Sequence, residues 1–431
     1  MIPQPSNFVF PKDLRNRILF TLGLLVVYRL GIHIPVPGVN AQAIADFFAQ
    51  AKNTLFGLFD MFSGGGLRRL SVFALGIMPY ISAAIIMELL VVVSPYLARL
   101  KKEEGEEGRR KLNQYTRYGT VLITLIQGTG IAIGLQRMTS PTGVPVVPEP
   151  GPMFVLTTAI TLTAGTVFIM WLGEQITAKG IGNGISLIIF AGIVARLPGA
   201  LMKTFKLFSA GEITLFFLIL ILVVAIGTIG FICFVETAQR RIPIQYAKRV
   251  IGRRLYGGQS THLPLKINMA GVIPPIFASS ILMFPATIAN FSQIDILQKI
   301  AVFFRPGSLV YSLIYVALII FFCYFYTAII FDPAEVADNL KKQGGFIPGI
   351  RPGKNTKEYI DKVLTRLTFW GALYVSAICV LPLILITKLH VPFYFGGTAI
   401  LIVVGVAIDT IASLQSYFIT HQYESLLRKR R

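Results

Sequence analysis

The chain has 431 residues, of which 54% are hydrophobic and only 14% charged, and its mean hydropathy is +0.68. That balance excludes a soluble multidomain protein, because apolar runs of membrane-spanning length recur along the whole chain. The formal net charge of +20 must therefore sit in the loops, where its placement reports orientation.

The first apolar run, Ile18 to Ile34, has no small-residue cleavage site behind it and is expected to be a retained first span. Leu55 to Phe62 is apolar but too short to cross a bilayer. Ser63-Gly64-Gly65-Gly66 breaks it, and Arg68-Arg69 follows. Broken apolar segments survive at membrane depth only when buried in protein or lining a wet cavity. This stretch therefore points to a central cavity with a movable piece near its mouth, the triple glycine acting as hinge. Ala74 to Val93 is apolar apart from Tyr80, Ser82 and Glu88; at helical rise such a run reaches about 30 Å, enough to span. Lys101 to Lys111 (KKEEGEEGRRK) is expected to be a solvated turn.

Ten spans are expected, at roughly 17–34, 74–95, 115–136, 153–173, 183–200, 213–235, 270–291, 308–331, 363–386 and 397–418. With these spans, 29 of the 40 Lys and Arg residues fall on one side. The positive-inside rule makes that side cytoplasmic, so both termini are expected inside. Ten spans divide into two sets of five, 1–200 and 201–431, and an odd number per set makes any repeat an inverted one. The second span carries Gly76 and Pro79; the seventh carries Gly271, Pro274 and Pro275. The fifth opens with Gly182-Asn183-Gly184 and the tenth with Gly396-Gly397-Thr398. Gly- and Pro-interrupted spans at matching positions of two halves point to a central site.

Two expected cytoplasmic loops, 236–266 and 332–362, are long for connections between packed helices. The first alternates basic residues (Arg240, Arg241, Lys248, Arg249, Arg253, Arg254) with β-prone ones, so a projecting hairpin is expected. Arg351 stands in the second. Such clusters either enforce orientation and hold anionic lipid, or dock a large anionic partner.

Enzyme chemistry finds no support. There is no HExxH, no P-loop and no mid-span histidine, and Gly180-Ile181-Gly182-Asn183-Gly184 does not complete a dinucleotide motif. His33, His262, His390 and His421 share no ligand spacing, and Cys233, Cys323 and Cys379 are dispersed in apolar runs as packing residues, so neither metal nor cofactor is expected. Glu88 and Asp409 are the intramembrane carboxylates. A small-solute secondary transporter would use one of them for coupling. The other readings are a passive conduit with an apolar constriction, which seals by dewetting, and an insertase or scaffold without a through-pore.

Several long motifs carry a resemblance. FDMFSGGGLRRLSVFALGIMPYISAAIIMELL (59–90), GIGNGISLIIFAGIVARLP (180–198), THLPLKINMAGVIPPIFASSILMFPATIA (261–289), FDPAEVADNLKKQGGFIPGIRPG (331–353) and YFGGTAILIVV (394–404) resemble, in order, the SecY family of bacterial protein-conducting channels. The resemblance implies an all-α polytopic membrane protein, two inverted five-helix halves around an hourglass pore in the bacterial cytoplasmic membrane. It implies translocation of unfolded secretory polypeptides and sideways release of apolar segments into lipid. It maps a plug onto about 55–67, including Phe56, Gly57, Phe59, Met61, Phe62, Gly64, Gly65 and Gly66. It maps a pore ring onto Ile77, Ile81, Ile189, Ile276 and Ile402, and gate-holding polar positions onto Ser82, Gln127 and Asn268. The two cytoplasmic loops take the place of the family's docking surface. The implied partners are the motor ATPase SecA, the translating ribosome, the small subunits SecE and SecG, signal-sequence-bearing preproteins and anionic lipids.

Overall fold

The computed structural model describes residues 12–50, 60, 63–102, 104–136, 138, 143–211, 214–246, 249–251, 254–256, 260–291, 308–389 and 397–428. The first stretch of helices is α1 (Lys12–Gly31), α2 (Ala41–Gln50), α3 (Met78–Val93), α4 (Pro95–Lys102), α5 (Gly105–Gln136), α6 (Pro152–Lys179), α7 (Gly184–Val194), α8 (Leu197–Ser209) and α9 (Leu215–Thr237). Strands β1 (Gln239–Tyr246), β2 (Arg249–Ile251), β3 (Arg254–Tyr256) and β4 (Ser260–Lys266) come next. The chain continues through α10 (Ile273–Phe291), α11 (Leu309–Ile330), α12 (Pro333–Lys342), β5 (Gly345–Phe346), α13 (Lys354–Leu389) and α14 (Gly397–Arg428).

Among the described residues, seven helices are long and apolar enough to cross a membrane. An eighth span arises if α3 and α4 are taken together across their 104° bend. The bend has a local cause: Ser94 is extended (φ −94°, ψ 117°) because Pro95 excludes the helical conformation of the residue before it. The first and seventh expected spans fall on α1 and α10, of 20 and 19 residues, and neither is among the seven. In α1, Lys12, Asp13, Arg15, Arg17 and Arg29 leave no long window free of charge. α10 contributes a shorter apolar helix, Ile273–Leu282. Lys101–Lys111 is not the expected turn: α4 runs into it and α5 begins at Gly105. Lys111 is held on the helix by Glu104 at 2.9 Å and Glu107 at 3.7 Å.

The chain folds as two compact units. One comprises 1–205, 280–308 and 406–431; the other comprises 206–279 and 309–405. In the first unit α6 is packed too closely for side chains at its glycines. A Cβ on Gly165 would lie 2.0 Å from the Val72 carbonyl oxygen, and one on Gly184 at the start of α7 would lie 2.0 Å from the Gly173 carbonyl oxygen. In the second unit, β1 pairs antiparallel with β4 from Gln239 opposite Lys266 to Gln245 opposite Ser260. The hairpin expected from the first long loop is therefore present, with β2 and β3 paired beyond it. The other edge of β1 takes β5 from the second long loop, so both loops share one sheet of order β4-β1-β5. Ile242 and Ile244 alternate with exposed neighbours along β1 and point inward onto Leu265, Leu340, Ile347 and Ile360. Asp332 caps α12 by accepting from the Ala334 amide at 2.8 Å, with Pro333 at the first helical position.

Candidate functional site

The broken stretch after residue 60 is built from backbone turns and pinned by side chains of the same unit. Phe56, Gly57, Phe59, Met61 and Phe62 lie outside the described residues. Asp60 is buried and organises the turns after it: its carbonyl accepts from the Gly65 amide at 2.9 Å and its Oδ1 from the Arg68 amide at 2.9 Å. Its other carboxylate oxygen pairs with the Arg196 guanidinium beyond α7. Ser63 is fully buried; its hydroxyl donates to the Asp60 carbonyl at 3.1 Å and accepts from the Leu67 amide at 3.2 Å. From α1, Arg29 donates to the Gly64 carbonyl at 2.9 Å and the Tyr28 hydroxyl reaches the Ser63 carbonyl at 3.5 Å. Gly64 has φ +66°, and a Cβ there would lie 3.0 Å from Gly192 Cα. Only glycine meets both demands. The chain then runs antiparallel to 34–36, with Val36 donating to Leu70 and Val72 to Ile34, both at 2.9 Å. Phe73 stacks between Tyr28 (6.2 Å) and Phe168 (5.9 Å). The triple glycine is thus tied into its unit at both Gly64 and Gly65.

The five isoleucines mapped by resemblance are all buried, at 7% exposure or less. Ile77, Ile81 and Ile189 belong to the first unit, Ile276 and Ile402 to the second. Their helices begin in a shared way. Gly76 (φ +57°) precedes α3, with Pro79 in its first turn, and Ile81 stands five residues after that glycine. Gly271 (φ +64°) precedes α10, with Pro274 in its first turn, and Ile276 again stands five residues on. α7 and α14 each open on a glycine pressed against the helix before it. A Cβ on Gly184 would meet Gly173, and one on Gly397 would lie 1.7 Å from the Ile378 carbonyl oxygen of α13. Ile189 and Ile402 come five residues after those glycines. Asn183 caps α7, accepting from the Ile185 and Ser186 amides at 3.1 and 3.2 Å.

The three polar positions mapped to a gate are differently engaged. Ser82 is half-buried. Gln127 is buried, and its Oε1 has no protein partner among the described residues. Asn268 is committed within its own unit: Nδ2 donates to Glu236 Oε1 at 2.8 Å and to the Gly271 carbonyl at 3.0 Å, and Oδ1 accepts from the Gly271 amide at 3.1 Å. Pro275, lacking an N–H, leaves the Gly271 carbonyl without a helical donor, and Asn268 supplies one. Of the two carboxylates either of which a coupled transporter would use, Asp409 is exposed and Glu88 is half-buried with one unpartnered oxygen among the described residues.

On the loops, Arg240 and Arg241 are exposed on β1, and Arg351 is exposed beside a groove also lined by Gly349, Ile350, Asn355, Tyr359 and Lys362. Arg249 and Arg254 lie on the β2–β3 hairpin; Lys248 and Arg253 lie outside the described residues. No group of three or more metal-ligating side chains occurs among the described residues.

The family model of SecY matches residues 71–411. The chain belongs to the SecY family. It is 53% identical over 421 residues to the protein translocase subunit SecY of Escherichia coli (strain K12), covering 97% of this chain and 94% of that relative. Its fold matches a solved structure described as that of a protein conducting channel, with a TM-score of 0.66 at 18% identity over 96% of this chain and 95% of the other. It also matches Sec61 in the canine ribosome-channel complex from the endoplasmic reticulum, with a TM-score of 0.62 at 16% identity over 96% and 95% of the two chains.

The motifs that resemble SecY led to the isoleucines and the glycines but not to the residues that pin the broken stretch. Asp60 and Arg196 are 136 positions apart, and Arg29 and Gly64 are 35 apart, so neither pairing leaves a local pattern. The one available signal was an acid, Asp60, inside an otherwise apolar segment.

Proposed function

We propose that the protein is the central channel subunit of a translocase in a bacterial cytoplasmic membrane, with both termini on the cytoplasmic side. It passes unfolded secretory polypeptides across the membrane and releases apolar segments sideways into lipid. One observation carries this reading: four separate helix starts each place an isoleucine five residues after a structurally required glycine, in a chain whose relative is a protein translocase subunit. Ile77, Ile81, Ile189, Ile276 and Ile402 are the apolar constriction. It seals because a narrow aliphatic neck excludes water, and it widens around a moving chain.

The stretch around 55–67 is the stopper, and Ser82, Gln127 and Asn268 are gate positions. An interhelical polar contact in a membrane is worth roughly 0.6–2 kcal/mol, so a few such contacts keep a gate shut yet let an apolar signal segment open it. The division into five and five spans near residue 200 as an inverted repeat belongs to the same proposal, supported by the matched starts of α3 with α10 and α7 with α14. Arg240, Arg241, Lys248, Arg249, Arg253, Arg254 and Arg351 form the docking surface for SecA and the ribosome, with SecE and SecG as membrane partners and anionic lipid at the rim. The likeness to Sec61 of the ribosome-channel complex supports the ribosome among these.

The secondary-transporter reading has no support, since the relative and both solved structures are of translocase or channel type. The test is reconstitution of the chain with SecE into proteoliposomes, with SecA, ATP and a secretory preprotein outside. Protease-protected preprotein inside the vesicles is the expected result. Full protease sensitivity of the preprotein in vesicles that hold folded chain would overturn the reading.

A further inference from the structure

A buried line of hydrogen bonds joins three helices of the second unit. The Ser279 hydroxyl on α10 donates to the Pro275 carbonyl at 2.7 Å. That uses its only proton, so in the 3.2 Å contact between Ser279 Oγ and the Tyr315 hydroxyl on α11 the tyrosine is the donor. The proton of Tyr315 is then spent, and in its 3.2 Å contact with Thr398 Oγ1 on α14 the threonine donates. The order is Thr398 to Tyr315 to Ser279 to Pro275, each hydroxyl donating once. Ser279 and Tyr315 are both buried. Such a line in an apolar setting strengthens along its length, and breaking one member strands its neighbours.

Its position gives it a consequence. Pro275 is the residue before Ile276, and Thr398 stands one helical turn before Ile402. α14 has little freedom to slide: Gly397 abuts the Ile378 carbonyl, and a Cβ on Gly405 would lie 2.4 Å from Val272 Cγ1 beside the start of α10. The line therefore ties the backbone next to one ring isoleucine, and the helix turn before another, to a single buried tyrosine.

We propose that Tyr315 is a positioning residue for the constriction, its hydroxyl fixing the registers of α10 and α14 that present Ile276 and Ile402 and so keeping the resting neck closed to ions. The proposal rests on the assignment of those two isoleucines to the ring, and its test separates the two claims. The chain, with its small membrane subunits, is incorporated into planar bilayers and its resting ion conductance measured. Tyr315→Phe and, independently, Thr398→Val raise the conductance about tenfold, the order expected for one lost buried hydrogen bond that holds an equilibrium. Thr398→Ser, which keeps the hydroxyl, rescues most of the seal. The double variant Tyr315→Phe/Thr398→Val leaks no more than the leakier single variant, because both break the same line.

Ile319→Val, at a fully buried position on the same helix as Tyr315, lowers thermal stability in detergent without raising conductance. The double variant Ile276→Gly/Ile402→Gly reports on the ring itself. A leaky isoleucine variant with tight Tyr315→Phe and Thr398→Val channels overturns the positioning role and leaves the ring standing. A tight isoleucine variant overturns both. Leakage of Ile319→Val equal to that of Tyr315→Phe reduces the effect to general loosening and overturns the proposal.

Discussion

Arg196, just beyond α7, pairs with Asp60, whose side chain is only 5% exposed while that of Arg196 is 34% exposed. Asp60 also fixes the turn after it, through the amides of Gly65 and Arg68. On the proposed function this pair is the latch at the base of the stopper. Asp60→Asn keeps the shape and removes the charge. With Arg196 partly solvated, the loss is about 1–2 kcal/mol, below that of a fully buried pair. Resting conductance is expected to rise about tenfold, and exchanging the two residues (Asp60→Arg with Arg196→Asp) is expected to recover part of the seal. A double-mutant cycle on conductance checks the coupling.

The glycines beside that pair separate strain from packing. Gly64→Ala meets both a positive φ and the backbone of Gly192, and is expected to weaken the resting position by about 1–3 kcal/mol. Gly65→Ala meets only the φ of +94°, with open space around its Cβ, and is expected to cost about 1 kcal/mol. Alanine at Gly64 is therefore expected to speed opening by weakening the resting position. Translocation kinetics with a single preprotein, compared across the two variants, measure the order.

Leu265 and Ile360 are fully buried in the small core that joins the two long loops. Truncating either to alanine is expected to cost about 2–4 kcal/mol by cavity formation. The docking surface should loosen while the membrane part stays sealed. Co-sedimentation with ribosomes and SecA is expected to fall several-fold with resting conductance unchanged.

Much of this architecture was legible because its causes are local. Apolar runs of spanning length and the glycines before Ile81, Ile189, Ile276 and Ile402 act within a few residues of themselves. The features that escaped depend on partners remote in sequence. β5 is two residues long and takes its meaning only from β1, a hundred residues earlier in the chain. The Asp60–Arg196 pair spans 136 positions. Asn268 is tied to Glu236, 32 positions away, and to the carbonyl that Pro275 leaves open, and nothing nearby in sequence announces either partner. The charged segment 101–111 read as a turn because its Gly105 and mixed charges hide an i,i+4 pair, Glu107 with Lys111, that favours helix.

The central claim is that a polypeptide passes the isoleucine constriction. A secretory chain stalled during translocation and carrying a photo-crosslinker tests it directly, with single cysteines at Ile81, Ile189 and Ile276 and a control at Phe216, which is 76% exposed on α9. The account predicts adducts at all three isoleucine positions and none at Phe216. Absence of adducts at the three positions, or equal labelling of Phe216, would contradict it.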